Sequence, residues 1–567
     1  MLGFNGSSNS FAATIVLLLG ITGGLLLQRL ADGLRNMAVV IALIVPPTFW
    51  ILYYTQSKAA FVTPVLVALV LVLVWRLGPT LRAKRVDAFV SGCAMVILGM
   101  VSVVGFGMVF HRLPTASLNF RWRYWVAAWQ VFLAHPLIGV GWDNFGSHYL
   151  RYRLPVAAEE IQDPHDFILR FLTELGIVGA ALGLGWLGRL WWEMTDPILP
   201  EQIPNVPNML SRNHGIGWIA LVAGLGMMVS FLASADLGQF SVIDVMKQML
   251  FFCVLMLGTA LGAIKPGGEA SLEKGPAPWV LYGILATLAA FLIHNLIEFS
   301  LFEIGPMFLF ALLAGSALGI RSRPTVARSR SGNVIALISV GASFSAAAIF
   351  FCVPLCRAES LAREADEQMR SSHFDEASTN YLTAFDQYIP FNADYLYRAA
   401  MATDFQSPTD HTAVKAIFDR AIAANPSVIN YYLSRARVEL QLGENDLARN
   451  DFWGALDLDP IEVSIHLDYA DALMQMKMGD EAFAQFEAAL KFNELLPAEE
   501  PKRLNDAEIR LRYASALKLA GQEREAISQA RQAIADNESL SADDPRRLGQ
   551  SEVDALQKII GGQPRHP

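Results

Sequence analysis

The chain has 567 residues, 53% of them hydrophobic and 17% charged, with a formal net charge of −9. That is too long for one core and too apolar for a single soluble domain. Residues 1–356 carry 22 Lys and Arg against 17 Asp and Glu, while 357–567 carry 22 against 36, and so acidic a second part argues against nucleic acid as a partner.

From the N-terminus, apolar runs long enough to cross a bilayer recur near 11–30, 37–55, 59–76, 88–110, 166–188, 214–234, 243–264, 278–297, 300–320 and 334–356. The expectation is an all-α polytopic membrane domain of about ten helices over residues 1–356. The first run has no basic leader and no small-residue cleavage site, so it reads as a retained helix. The four cysteines, Cys93, Cys253, Cys352 and Cys356, fall in or beside apolar runs without zinc spacing and read as buried small residues.

Lys and Arg mark every second connection: Arg29 and Arg35, then Arg76 to Arg85, Arg189 and Arg212, Lys265 and Lys274, and Arg321 to Arg330. By the positive-inside rule these loops face the cytoplasm. The long segment 111–165 and everything after the last span then face outward. That outer segment nonetheless carries Arg112, Arg121, Arg123, Arg151 and Arg153, against the charge rule. A short turn suffices to reverse a helix, so cations kept here point to an anionic ligand.

A period of 34 runs through the tail. Ala402, Phe418, Ala421 and Pro426 recur as Ala436, Phe452, Ala455 and Pro460, then as Ala470, Phe486 and Ala489 with Glu494 in place of the proline. Ala448 and Ala482 fit the same grid, a further unit holds Ala514, Gly521, Ala526 and Ala533, and a degenerate one holds Ala365, Ala377 and Ala384. Small residues let two helices approach and proline stops the second, which is the tetratricopeptide pattern. Residues 357–560 are therefore expected to form an extracytoplasmic α-solenoid whose concave face docks a protein partner. Asp457 and Asp459 resemble the acidic pair of metal-dependent glycosyltransferases, but they sit where a repeat helix runs into Pro460, and no metal is expected.

Arg121 and Trp125, then His135 to Gly141 and Asn144-Phe145, then Pro164-His165-Asp166 before Glu174 to Gly179, resemble in order the O-antigen ligase/polymerase family of bacterial envelope glycosyltransferases. Asp166 stands where the family usually has Asn, and the Ser-Arg pair near the front of its core appears as Ser57-Lys58. The resemblance implies transfer of a glycan from an undecaprenyl diphosphate carrier to a lipid A core, a glycan or a protein, on the outer face of the cytoplasmic membrane. It implies no cofactor.

The residues suit that chemistry. A lipid diphosphate leaving group develops charge that cations must meet if no metal does, and the planar fork of Arg matches phosphate oxygens. Arg121 is the expected first partner, with Arg123, Lys58 and Glu174 around the substrate. His165, behind Asp163 and Pro164 as cap and first turn of the next span, faces the positive helix end, which favours the neutral imidazole of a general base. Gly139, Gly141, Gly176 and Gly179 read as turn and packing glycines, and His294 and Glu298 as an i, i+4 pair. The rival readings are a non-catalytic membrane anchor that presents the repeats to envelope partners, and a transporter, for which no duplication of the spans speaks.

Overall fold

The computed structural model describes residues 8–55, 58–195, 278–321, 342, 350, 353–388, 392–498 and 500–561. The expected spans 214–234 and 243–264 and most of 334–356 lie outside the described residues, as do Cys253, Cys352 and the basic positions Arg212, Lys265, Lys274, Arg323, Arg328 and Arg330. Among the described residues there are helices and turns and no strand. They fall into two compact units: Met1–Trp125 with Phe132–Gly141 and Asp163–Arg328, and Val126–Val131 with Trp142–Gln162 and Ser329–Pro567.

The first unit contains α1 (Ser8–Ala31), α2 (Arg35–Ala42), α3 (Val45–Tyr54), α4 (Lys58–Ala83), α5 (Arg85–Phe110), most of α6 (Ala116–Ala134), α8 (Phe167–Met194), α9 (Pro278–His294) and α10 (Ile304–Arg321), while the short α7 (Phe145–Tyr152) belongs to the second. Among the described residues, four stretches are long and apolar enough to cross a membrane: Phe11–Ala31, Arg35–Tyr54, Arg85–Phe110 and Phe167–Met194. Trp279–His294 and Gly305–Leu318 are shorter apolar helices at two more of the expected spans.

Helix α1 packs along α9 and α4. Gly24 and Gly283 bring the α1 and α9 backbones into contact, where any Cβ would collide with the opposite main chain, and Thr287 donates to the Val16 carbonyl at 3.1 Å. Small residues and a side-chain-to-backbone bond are how apolar helices associate without water to drive them together. Leu17, Leu288, Phe291 and Ala317 form the packed centre, joined by Phe167 and Met194 from the two ends of α8. Helix α5 instead leaves Met95, Leu98, Val101, Met108 and Val109 exposed, an apolar belt suited to lipid. Cys93 and Cys356 are exposed, against the expectation of burial: an apolar run predicts distance from water, which lipid provides as well as a protein core does.

In the second unit, helix pairs follow the grid of the repeats. They are α11 (353–370) with α12 (Phe374–Thr383), α13 (Asp394–Gln406) with α14 (His411–Ala424), α15 (Ile429–Leu442) with α16 (Asn445–Leu458), α17 (Val463–Gln475) with α18 (Gly479–Leu495), and α19 (Asp506–Leu519) with α20 (Glu523–Ser539); α21 (Gln550–Gly561) closes the array. Ala402, Phe418, Ala436, Phe452, Ala470 and Phe486 are all buried. Helices α14 and α16 stop two residues before Pro426 and Pro460 after 14 residues each. Helix α18, with Glu494 in that place, runs on to 17 residues. Proline disfavours the helical conformation of the residue before it, and without it the helix continues.

Candidate active site

Segment 111–165, expected as one loop, contains the 19-residue helix α6 and the shorter α7. Arg121, Trp122, Arg123, Tyr124, Trp125 and Trp129 occupy successive turns of α6. Arg121 projects from α6 to the segment after α9. Its Nε donates to the Ile297 carbonyl at 2.6 Å, its Nη1 to Ser117 Oγ at 2.6 Å, and its Nη2 pairs with Glu298. The Arg121 side chain is 13% exposed and that of Glu298 2%. The expected His294–Glu298 helical pair does not form as such, because α9 ends at His294 and Glu298 lies beyond it, where it meets Arg121.

His165 is reached from the other side. The N-cap of α8 is Asp166, whose carboxylate accepts from the Ile168 and Leu169 amides at 2.8 and 3.0 Å, and not Asp163 as the sequence suggested. Asp163 accepts instead from the His165 amide at 2.7 Å and from Arg170 Nη1 at 2.6 Å. His165 therefore precedes the cap, in the left-handed region at φ +54°, a conformation that non-glycine residues rarely adopt. Its ring lies 4.9 Å from that of Phe299 and 5.9 Å from that of Tyr124, one helical turn from Arg121. Trp125 Nε1 donates to the Pro164 carbonyl at 3.1 Å and fixes this approach.

The His165 Nδ1 is buried and has no hydrogen-bond partner among the described residues. Burial, with the Arg121 charge beside it, lowers the imidazole to about 4, so it is neutral at neutral pH. Burial also raises the Asp166 carboxyl to about 7, against the two amide hydrogen bonds that favour its charge.

Glu174 is fully buried and paired with Arg170 Nε at 3.1 Å. Arg170 thus bridges Asp163 and Glu174, with its guanidinium 4.4 Å over the Phe302 ring. A carboxylate this deep in a span is tolerated because it is paired. Arg170 went unread in the sequence, although an Arg four residues before a Glu on an apolar helix is a signal for such a pair.

The glycine motifs meet through their backbones. In a continuous helix the Thr173 and Glu174 carbonyls would accept from the Ile177 and Val178 amides. Gly176, at φ +65° and ψ −171°, breaks α8 there. Val140 and Gly141 donate to Thr173 and Glu174 at 2.9 Å each, while Ile177 and Val178 donate to Pro136 and Leu137 at 2.8 and 3.4 Å. Two i to i+4 turns have exchanged partners. A Cβ at Gly139 would strike the Glu174 main chain, and one at Gly176 the Leu137 main chain.

Arg123 lies 5.3 Å over Phe120 on its own helix, and Lys58 opens α4 with its side chain outside the described residues. Arg151 and Arg153 face carboxylates of the repeats and not this cluster.

Residues 39–184 match the family model described as O-antigen ligase. This stretch of the chain is similar to O-antigen ligases. It holds every expected site residue, from Lys58 to Glu174, and at the family level it supports a ligase or glycosyltransferase in a membrane. Solved structures similar to the C-terminal part include MamA of AMB-1 (17% identity, 33% of this chain and 96% of that one, TM-score 0.26). They also include MamA 41-end from Desulfovibrio magneticus RS-1 (11% identity, 33% and 98%, TM-score 0.27) and YrrB, described as a TPR protein with an unusual peptide-binding site (16% identity, 32% and 86%, TM-score 0.26). The comparison with curated proteins gives no match.

Proposed function

We propose that the protein is a glycosyltransferase of the outer face of the cytoplasmic membrane, moving a glycan from undecaprenyl diphosphate to a lipid, glycan or protein acceptor without a metal. The membrane part is 1–356, and the repeats, 357–560, lie outside the cytoplasm. The observation that carries this reading is His165, a neutral imidazole held in a strained conformation beside Arg121 with a buried, unpartnered Nδ1 among the described residues. Such strain persists only where surrounding structure imposes it.

In the reaction, His165 takes the proton of the acceptor hydroxyl as its oxygen attacks the anomeric carbon. The bond from that carbon to the diphosphate breaks, and Arg121 stabilises the departing charge. Arg123, Lys58 and Glu174 serve donor binding, Glu174 by holding Arg170 and the Gly141 amide in place.

One observation favours the rival anchor reading: the Arg121 guanidinium is already tied to Glu298, Ile297 and Ser117, as a purely structural arginine would be. Transfer assays in purified membranes separate the two. Arg121→Ala and His165→Ala leave the protein inserted but each lower transfer on the order of a hundredfold or more, and EDTA has no effect. Full transfer in both variants, or loss to EDTA reversed by magnesium or manganese, overturns the mechanism.

A further inference from the structure

Two of the five outer arginines are engaged far along the chain. The segment Trp142–Gln162 belongs to the same compact unit as the repeats. Its helix α7 packs against α16, with Phe145 and Tyr149 fully buried. Arg151 Nη2 lies 2.7 Å from Asp457 Oδ1. Arg153 reaches Asp459 through Nε at 3.1 Å and Nη2 at 2.8 Å, and Glu462 at 2.7 Å. The Arg153 and Asp459 side chains are each 3% exposed, and Arg153 Nη1 also donates to the Ala158 carbonyl at 3.4 Å. Glu160 adds an outer ion pair with Lys502.

Asp457 lies in the last turn of α16, and Asp459 and Glu462 in the elbow around Pro460 before α17. The exposed Arg151 pair contributes little. The Arg153 cluster differs, since removing one partner strands a charge away from water. The two acidic residues that look like a metal pair in sequence are thus an arginine socket.

The held segment begins directly after Gly141 and ends directly before Asp163, so its two ends continue into the exchanged backbone turns and the His165 approach. Anchoring its middle divides a long loop into two shorter ones, and the entropy left to the stretch before His165 falls with its length.

We propose that the elbow Asp457–Glu462 of the repeats is a receptor for the chain's own Arg151–Arg153 segment, and that Arg153 is a positioning residue for His165. The repeat array then serves transfer by holding this segment, whatever else it docks. The effect on transfer rests on the function proposed above; the receptor does not.

The test uses the full chain in lipid nanodiscs, with hydrogen exchange over 142–165 and transfer kinetics on the same samples. Arg153→Gln and Asp459→Asn each speed exchange in that segment about tenfold or more, with Arg153→Lys between them and wild type, while 506–539 keeps its protection. Transfer kcat falls about tenfold with the acceptor KM unchanged, and Arg153→Gln adds nothing to His165→Ala because both act through one group. Unchanged exchange in Arg153→Gln overturns the receptor. Faster exchange with full kcat, or a loss that adds to His165→Ala, overturns the positioning role. Absence of transfer in the wild type overturns the proposed function while the exchange result still decides the receptor.

Discussion

Replacing Gly176 by alanine isolates the backbone exchange between the two glycine motifs. At φ +65° and ψ −171° the residue occupies a region open essentially to glycine, and forcing a side chain there costs about 1–3 kcal/mol. The added Cβ also meets the Leu137 main chain, so the two turns must separate, weakening four cross-pairing bonds worth about 0.5–1.5 kcal/mol each. Partial loss of these on top of the strain gives about 3 kcal/mol, on the order of a hundredfold in the equilibrium between latched and open forms. Gly185 and Gly188, farther along α8, have nothing within 4 Å of the place a Cβ would take, and alanine there leaves stability equal or slightly higher. The assay is heating in detergent followed by size exclusion, with hydrogen exchange at Val140 and Ile177. Gly176→Ala and Gly139→Ala each lower the midpoint, and the double variant falls short of their sum because they open the same latch. If Gly176→Ala survives heating as well as Gly188→Ala, the exchanged turns do not hold the site.

The buried charges near His165 give opposite pH dependences. The histidine is depressed in the folded state, so its contribution is present above its ordinary value of 6.5 and is lost as pH falls through about 4; His165→Gln flattens the acid limb of a thermal-stability profile. Asp166 is raised in the folded state, so its contribution is present at low pH and lost as pH rises through about 7. Asp166→Asn keeps the N-cap without a buried charge and stabilises above pH 8 while changing little at pH 5, as pH-dependent melting checks. Arg121→Lys restores only a small fraction of the transfer lost in Arg121→Ala, because an ammonium cannot reproduce the fork, measured as kcat/KM for the lipid-linked donor. In the repeats, Phe486→Ala removes a fully buried ring and destabilises by about 3–5 kcal/mol, read by loss of protection across α17–α20.

The repeats were legible because their rule is local and recurs: alanine and phenylalanine at fixed offsets are buried, and helix length follows the proline. The apolar helices over residues 11–194 were legible for a similar reason, since periodicity and length are enough to mark a span. The site was legible as a set of residue types in order. Its wiring was not, because partners there are set by tertiary approach: Arg121 meets a glutamate from after α9, and the cap of α8 is Asp166 because Asp163 serves Arg170 and the His165 amide. The turn glycines were recognised one by one, but nothing local says that the turn at Pro136 and the turn at Thr173 complete each other.

Five arginines outside the membrane were read as one cation-rich surface for an anionic ligand, since charge against the positive-inside rule needs a partner. That inference counts the sum and not the members. Arg121 balances Glu298, while Arg151 and Arg153 balance Asp457, Asp459 and Glu462, which belong to the half of the chain whose net charge is −14. The acidity of the tail and the basicity of the loop, read as separate facts, are to that extent a single interaction. A cation therefore counts toward ligand binding only after the chain's own carboxylates have been matched to it, and by that measure the Arg121 guanidinium is already offset by Glu298. Glu298→Gln, which frees that charge while keeping a hydrogen-bond acceptor, then lowers the donor KM if Arg121 binds phosphate, and leaves it unchanged if the arginine only braces the fold.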